Sequence, residues 1–274
     1  MKHKIKLVMA NLRPIVQIAL LIIAFFLPVK LGIVENFKAP EAVASADLQT
    51  YILYYIWICG DKAAGGILAF IVWRWEKRIN KEYLFNRGNT YKNFPYWWYY
   101  VCAKFLGYSK CNLKRVPIYL QFKLVLGDTF DNYDCGNYEK KENDVIMVSR
   151  KNDSNMENEM NLIISDTYPI SMEQIPVTKK RKYTIIISRD NANDTNRYDS
   201  PQLVKKVVNE MRNLPQIIDK VNVFATTNPQ NTVNIVNEAF KLGERANVKC
   251  VEVFQQKRDG KRKFEEKGKI VYKQ

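Results

Sequence analysis

The chain has a single histidine, His3, close to its start. Placed in that tail, it leaves no imidazole for a Ser-His-Asp triad, a Cys-His dyad, an HExxH zinc site or a His-based metal cluster. The five cysteines, Cys59, Cys102, Cys111, Cys135 and Cys250, contain no CxxC pair. That argues against a structural zinc site and a thioredoxin-type redox motif, and the odd number points to reduced thiols in a cytosolic compartment. Neither a Walker A loop nor G-x-G-x-x-G occurs, which disfavours P-loop ATP hydrolysis and dinucleotide binding. Acidic residues are scarce as well: 28 Asp+Glu face 43 Lys+Arg, a formal charge of +15 over 274 residues. No convincing Asp…Glu-x-Lys metal cluster falls at a strand end. The expectation is a protein that is not an enzyme and holds no cofactor and no metal.

Apolar length, in contrast, is plentiful at one end. Pro14 to Val34 carries one charge, Lys30, near its end, and matches the length of a membrane-spanning helix. Lys30 can snorkel to the headgroups, and Pro28 would kink the span without abolishing it. A cleaved signal peptide is the rival, because Ala44-Ser45-Ala46 has the small-x-small pattern after the basic start Lys2, Lys4, Lys6. That site lies well beyond the apolar run, and a retained helix is the reading adopted. A second stretch, Tyr51 to Trp75, has aromatic residues at both ends, as interfacial belts do. Asp61-Lys62 interrupts it near the middle. These charges either form a polar seam between helices or line a pore, or they lie in the outer interface beside a shorter helix. Gly60 with Ala64, and Gly65 with Ala69, have the small-xxx-small spacing that permits close helix contact.

Lys2, Lys4, Lys6 and Arg13 precede the first apolar stretch, and Arg74, Lys77, Arg78, Lys81 and Arg87 follow the second. The connecting loop, Glu35 to Thr50, holds three acidic residues against Lys38. The positive-inside rule puts both termini in the cytoplasm. The expected organisation is a two-helix transmembrane region over residues 1–75, with spans at about 14–34 and 51–75, a juxtamembrane linker over 76–93 and a cytosolic domain over 94–274. Residues 1–73 hold seven Lys/Arg against four Asp/Glu, so +12 of the +15 falls on the remainder. Attraction to an anionic leaflet explains such a charge, and so does an anionic ligand; charge alone does not separate them.

Within the cytosolic part, Pro95 to Gly107 suits a helix, and its aromatic cluster around Trp97 and Trp98 suits a core or a bilayer contact, with stacking on bases as the alternative. Val116 to Leu126 alternates like a strand. From residue 161 the pattern turns regular. Strands are expected at 161–165, 182–188, 221–225 and 248–254. Helices are expected at Pro201–Lys220, capped by Ser200, and at about Thr232–Ala246, with Thr232 as N-cap. This order predicts a three-layer α/β, Rossmann-like unit, whose ligands sit outside the carboxyl ends of the strands. The candidate ligand-binding residues are therefore Ser188 and Arg189 after one strand and Thr226, Thr227 and Asn228 after another. The basic run adds Lys179 and Lys180, with a solvated loop as the alternative. Ordinary capping is the alternative for the Thr226–Asn228 loop.

Asn222 to Gln256 resembles the closing segment of SAVED domains: a strand, a small/Pro loop, a helix ending near glycine, and a last strand with acidic and aromatic residues. The corresponding residues are Phe224, Pro229, Gly243, Glu252 and Phe254. The resemblance covers residues 160–274 and implies a SAVED/CARF-like, Rossmann-like sensor. Such domains occur in bacterial anti-phage systems, including CBASS, where they bind cyclic oligonucleotides made by a partner synthase. Fused to a membrane hairpin, such a sensor implies an inner-membrane effector, multi-pass and homo-oligomeric, that disrupts the bilayer on a nucleotide signal without specific DNA or RNA binding. A membrane-tethered nuclease or nucleic-acid binder, and a scaffold docking a cytosolic partner, are the alternatives.

Overall fold

The computed structural model describes residues 12–32, 48–88, 91–152, 157–190, 197–241, 247–257, 260 and 262–274. Lys2, Lys4, Lys6, Ala44 to Ala46, most of the Glu35–Thr50 loop, Gly243 and the end of the last expected helix at Ala246 lie outside the described residues. So do the side chains of Tyr54, Tyr55 and Trp57. The chain divides into two compact units, residues 1–88 with 100–110, and residues 89–99 with 111–274.

The first unit is built on two helices, α1 (Leu12–Leu31) and α2 (Leu48–Asn80), followed by a short strand β1 (Leu84–Phe85). Among the described residues α1 is the one helix long and apolar enough to cross a membrane. Its outward face is apolar: Ile22, Ile23 and Phe26 are each more than half exposed. The two helices run antiparallel, with Gly65 against Phe25 and Asn80 against Gln17. A methyl group on Gly65 would fall inside the van der Waals envelope of the Phe25 carbonyl oxygen, whereas one on Gly66 would meet nothing within 4 Å. Gly65→Val should therefore pry the helices apart, at a cost of about 1–3 kcal/mol for an overpacked contact. Gly66→Val should leave the melting temperature of the detergent-solubilised chain almost unchanged. Equal melting temperatures for the two variants would refute the contact.

Gly60 adopts φ 65° and ψ −157°, a left-handed conformation inside α2 that only glycine reaches without strain. The break changes the setting of Asp61-Lys62. The pair opens a continuous helical segment from residue 61 to Asn80, and Asp61, half-buried, lies in its first turn, where the helix dipole favours an anion. At the other end of α2, polar groups clasp the segment 100–110. Asn80 Nδ2 donates to Leu106 O (2.8 Å), Trp73 Nε1 to Phe105 O (2.7 Å) and Tyr108 Oη to Gln17 Oε1 (2.9 Å). Gln17 Nε2 in turn donates to Asn80 Oδ1 (2.9 Å). Gln17 and Asn80 are buried, so each bond spares a desolvated amide a penalty of about 1–3 kcal/mol.

Helix α3 (Tyr96–Tyr100) starts in the second unit and runs on as a π-helical turn through Phe105 into the 100–110 segment of the first, so a helix does cover most of Pro95–Gly107. Strand β2 (Lys110–Asn112) pairs with β3 (Asn132–Asp134). Between them lies α4 (Ile118–Leu126), where a strand was expected. Pro117 stands just before its first turn and Gly127 closes it. Ile118, Leu120, Gln121, Phe122, Leu124 and Val125 are all buried, so the helix lacks the polar face that reveals a 3.6-residue period.

Strand β4 (Glu139–Lys140) lies beside β8 (Tyr198–Asp199). The main sheet has six strands in the order β11-β10-β9-β6-β7-β5: Lys269–Lys273, Cys250–Phe254, Lys220–Ala225, Glu159–Ser165, Tyr183–Arg189 and Ile146–Lys151. The four central strands are parallel and match the four expected ones, and antiparallel strands close both edges. Helix α5 (Pro201–Arg212) starts as expected, with Ser200 Oγ accepting from Leu203 N. It stops at Arg212 because Asn213 leaves the helical conformation ahead of Pro215. Helix α6 (Pro229–Ile235) is capped by Asn228, whose side chain accepts from Asn231 N. This corrects the expected cap at Thr232, which is buried one turn inside.

The expected three layers are also corrected. Helices α4 and α5 each pack on α6 and on strands of the sheet. The opposite face carries Ile163, Phe224 and Phe254, covered by the loop residues Ile175 and Phe264 with Ile170 and Met172 beside them. Phe224 and Phe254 stack with centroids 4.5 Å apart. The connection from β6 to β7 contains one 3₁₀ turn, Met172–Gln174, and its apolar side chains replace a covering helix.

A cationic cleft at the switch point of the parallel sheet

Strand β6 connects onward to β7 on one side, whereas its neighbour β9 connects to β10 on the other. The loops leaving their carboxyl ends diverge, which opens a crevice at a topological switch point. Asp166 follows β6 directly and Thr226 to Asn228 follow β9. Asp166, fully buried, ties the two ends together. Its Oδ2 accepts from Asn228 N (3.2 Å), Asn228 Nδ2 (3.3 Å) and Asn231 Nδ2 (2.8 Å). Arg189 Nε stands 3.4 Å from its Oδ1 and 3.9 Å from Asp144 Oδ2, with the guanidinium also donating to Asp166 O. Burial pushes the Asp166 carboxyl above the usual carboxylate range, although the hydrogen bonds from Asn231 and Asn228 and the charge of Arg189 oppose this.

Above this floor lies a cleft of about 610 Å³. Thr167, Thr227, Asn228 and Pro229 form its base, and Lys114, Arg115 and Arg197 bring three cations. No carboxylate occurs among its described lining residues. Arg115 is held at φ 61°, with its carbonyl accepting from Lys92 N (3.1 Å). Lys114 lies 3.7 Å from Asp134, with both side chains well exposed, and such a surface pair is worth at most about 1 kcal/mol. Tyr91 and Tyr138 add aromatic rings. Burial raises the Tyr138 phenol above its ordinary value, opposed by the charge and hydrogen bond of Arg197 beside it. Gln121, buried in the wall, donates from Nε2 to Val116 O (2.8 Å), and its Oε1 has no hydrogen-bond partner among the described residues. The arrangement suits a ligand with several anionic oxygens, a flat ring and a polar N–H.

Of the residues singled out from sequence, Thr227 and Asn228 line this cleft. Thr226 lies just beneath, where its hydroxyl donates to Tyr168 O (2.7 Å) and its carbonyl accepts from Thr167 N (3.1 Å). Ser188 is half-buried within β7, opposite Ser165 and Met147. Arg189 faces the interior, 2% exposed, so the structure gives it a positioning place behind the cleft. Lys179 and Lys180 lie at the other, amino-terminal end of the strands. There Lys179 pairs with Glu159, the first residue of β6, which Lys220 also approaches at 3.2 Å. Burial alone would raise the Glu159 carboxyl, but hydrogen bonds from Lys179, Asn222 and Lys220 outweigh it and hold the group at about 2. A carboxylate depressed in the fold stabilises above its unfolded pKa and loses that contribution as pH falls through its folded one. Glu159→Gln should therefore cost about 2 kcal/mol near neutrality and progressively less as pH falls toward 2, read from denaturant midpoints. A pH-independent difference would show that Glu159 acts through packing.

Sequence reasoning passed over Lys114, Arg115, Gln121, Asp166 and Arg197. Asp166 carried a usable signal, because it occupies the same place after β6 that Thr226 occupies after β9. Among the described residues no cluster of three or more His, Cys, Asp or Glu side chains could hold a metal ion.

The chain thus joins an α/β sheet that bears a switch-point cleft to a helix, α1, long and apolar enough to cross a membrane. The model of the SMODS- and ubiquitin system-associated 2TM effector domain matches residues 1–271, and the chain belongs to this family. The kinship with two-transmembrane effectors expected from the sequence is thereby borne out. Similar solved structures include the Acinetobacter baumannii Cap4 SAVED/CARF-domain containing receptor with the cyclic trinucleotide 2'3'3'-cAAA. Identity is 10%, covering 60% of this chain and 38% of that one, with a TM-score of 0.45. The same receptor with 3'3'3'-cAAA gives 11% identity, coverages of 61% and 40%, and a TM-score of 0.43. The matched region thus spans about two-fifths of the receptor's length, 38% to 40%. No curated protein sequence matches the chain.

Proposed function

We propose that this protein is a bacterial inner-membrane anti-phage effector, not an enzyme, whose cytosolic cleft binds a cyclic oligonucleotide from a partner synthase. Its hairpins then disturb the bilayer. The observation that carries the reading is the cleft itself: three cations and no described carboxylate at the divergence of two parallel strands, in a chain of the two-transmembrane effector family. Lys114, Arg115 and Arg197 hold the phosphates, Tyr91 and Tyr138 flank a base, and Gln121 Oε1 accepts from a base N–H.

In this reading α1 and α2 both cross the membrane, with both termini cytoplasmic, and Asp61-Lys62 marks the joint within the second crossing. The ligand acts by binding one packing of the effector more tightly than the other, since equal affinity shifts no equilibrium. Homo-oligomers supply enough hairpins to breach the bilayer.

The test is thermal stabilisation of the detergent-solubilised full chain by a panel of cyclic di- and trinucleotides, with recovery of the nucleotide afterwards. Stabilisation by several degrees with one compound, recovered intact, supports the reading. No stabilisation by any, with metal-dependent cleavage of nucleic acid by the same preparation, would replace it with a tethered nuclease.

A further inference from the structure

A second run of positive charge lies at the carboxyl end of α2. Arg74, Lys77 and Arg78 on the helix and Lys81 in the turn just beyond it follow at spacings of three and four residues and line a concavity of about 540 Å³ together with Trp75. Like charges at these spacings repel, by about 0.2–0.5 kcal/mol per pair. No described carboxylate relieves them. Glu76 is buried, and Glu82 pairs with Lys110 at 3.5 Å. Lys77 lies over the Trp73 ring at 4.9 Å, a cation–π contact that leaves its charge in place. The run is therefore a pre-formed site for a polyvalent or crowded anion.

Its place along the helix identifies the anion. Ile67, Phe70 and Ile71 are 48–57% exposed. Trp75, 60% exposed, follows, and then the cations. From Ile71 to Asn80, next to Lys81, the helix rises about 14 Å. A bilayer passes from hydrocarbon through headgroups over about 5–8 Å on each side. Apolar surface, indole and cations thus succeed one another in the order of acyl chain, interface and phosphate. We infer that Arg74, Lys77, Arg78 and Lys81, with Trp75, form a binding site for the phosphate of an anionic phospholipid. The inference rests on the membrane reading of the hairpin.

The experiment places the full chain in vesicles of phosphatidylcholine with phosphatidylglycerol, bromine being carried on the acyl chains of one lipid or the other. Quenching of Trp75 is isolated by difference from Trp75→Phe. Brominated phosphatidylglycerol should quench Trp75 more than brominated phosphatidylcholine at equal content. Arg78→Gln with Lys81→Gln should reduce that preference by about fivefold per cation removed, while Lys104→Gln leaves it unchanged. Equal quenching by both lipids, or a preference indifferent to the double substitution, would overturn the site. Loss of the preference on adding inorganic phosphate or glycerol 3-phosphate would reveal a free-phosphate site and overturn the lipid assignment. Failure of the chain to float with either vesicle would instead refute the membrane reading beneath it.

Discussion

Replacing Arg115 and Arg197 together by glutamine should weaken binding of the stabilising cyclic nucleotide by about a hundredfold at low salt, with the fold intact. The two side chains approach the same cleft from separate segments, one from the turn before α4 and the other from the loop before β8. Each hydrogen bond between a guanidinium and a phosphate contributes about 1.5–3 kcal/mol, so two lost bonds give a factor of this size or more. Lys114→Gln should cost less, because Asp134 already shares that ammonium's charge. Calorimetric titration of the full chain would decide it, and the ratio between wild type and the double variant should shrink as salt is raised. An unchanged affinity would remove the phosphates from this cleft. Because all three cations are exposed, with Arg115 constrained through its backbone alone, altered melting temperatures are not expected.

Asp166→Ala should be the most damaging single change to the fold, at about 3–5 kcal/mol. Arg189 is 2% exposed and close to two carboxylates, and removing one leaves a buried guanidinium short of countercharge. Asn228 and Asn231 would also lose the oxygen to which their amides donate. Asp166→Asn keeps an acceptor in place and should cost less, which separates the hydrogen bonds from the charge. The pH dependence has a definite sign. A carboxyl whose folded pKa is raised binds its proton more tightly in the fold, so its contribution is fully present below the unfolded value and is lost as pH rises through the folded one. Wild type minus Asp166→Asn should therefore shift as pH climbs from the usual carboxylate range upward, read in denaturant melts. A loss below 1 kcal/mol for Asp166→Ala would show that Asp144 alone suffices for Arg189.

The parallel strands were legible because runs such as Leu162-Ile163-Ile164 and Ile185-Ile186-Ile187 are short, rich in β-branched isoleucine and bounded by polar loops. Ser200 and Pro201 announced α5 in the same local way. Helix α4 was not legible, because near-complete burial erased its period. Arg189 was found but misplaced. A charge at a strand end looks the same whether it faces solvent or two carboxylates, and its partners Asp144 and Asp166 are 45 and 23 residues away. The cleft cations suffered the converse fate. Lys114, Arg115 and Arg197 sit in unpatterned loops, and only the closing of β2, β8 and α6 around the switch point gathers them.

The backbone passes between the two units at 88/89, at 99/100 and at 110/111. The first unit is therefore discontinuous in sequence: residues 100–110 return to it, and there the Asn80 and Trp73 side chains hold Leu106 and Phe105. One cut between residues 89 and 99 leaves each fragment with a piece of the first unit, so neither fragment carries that unit whole.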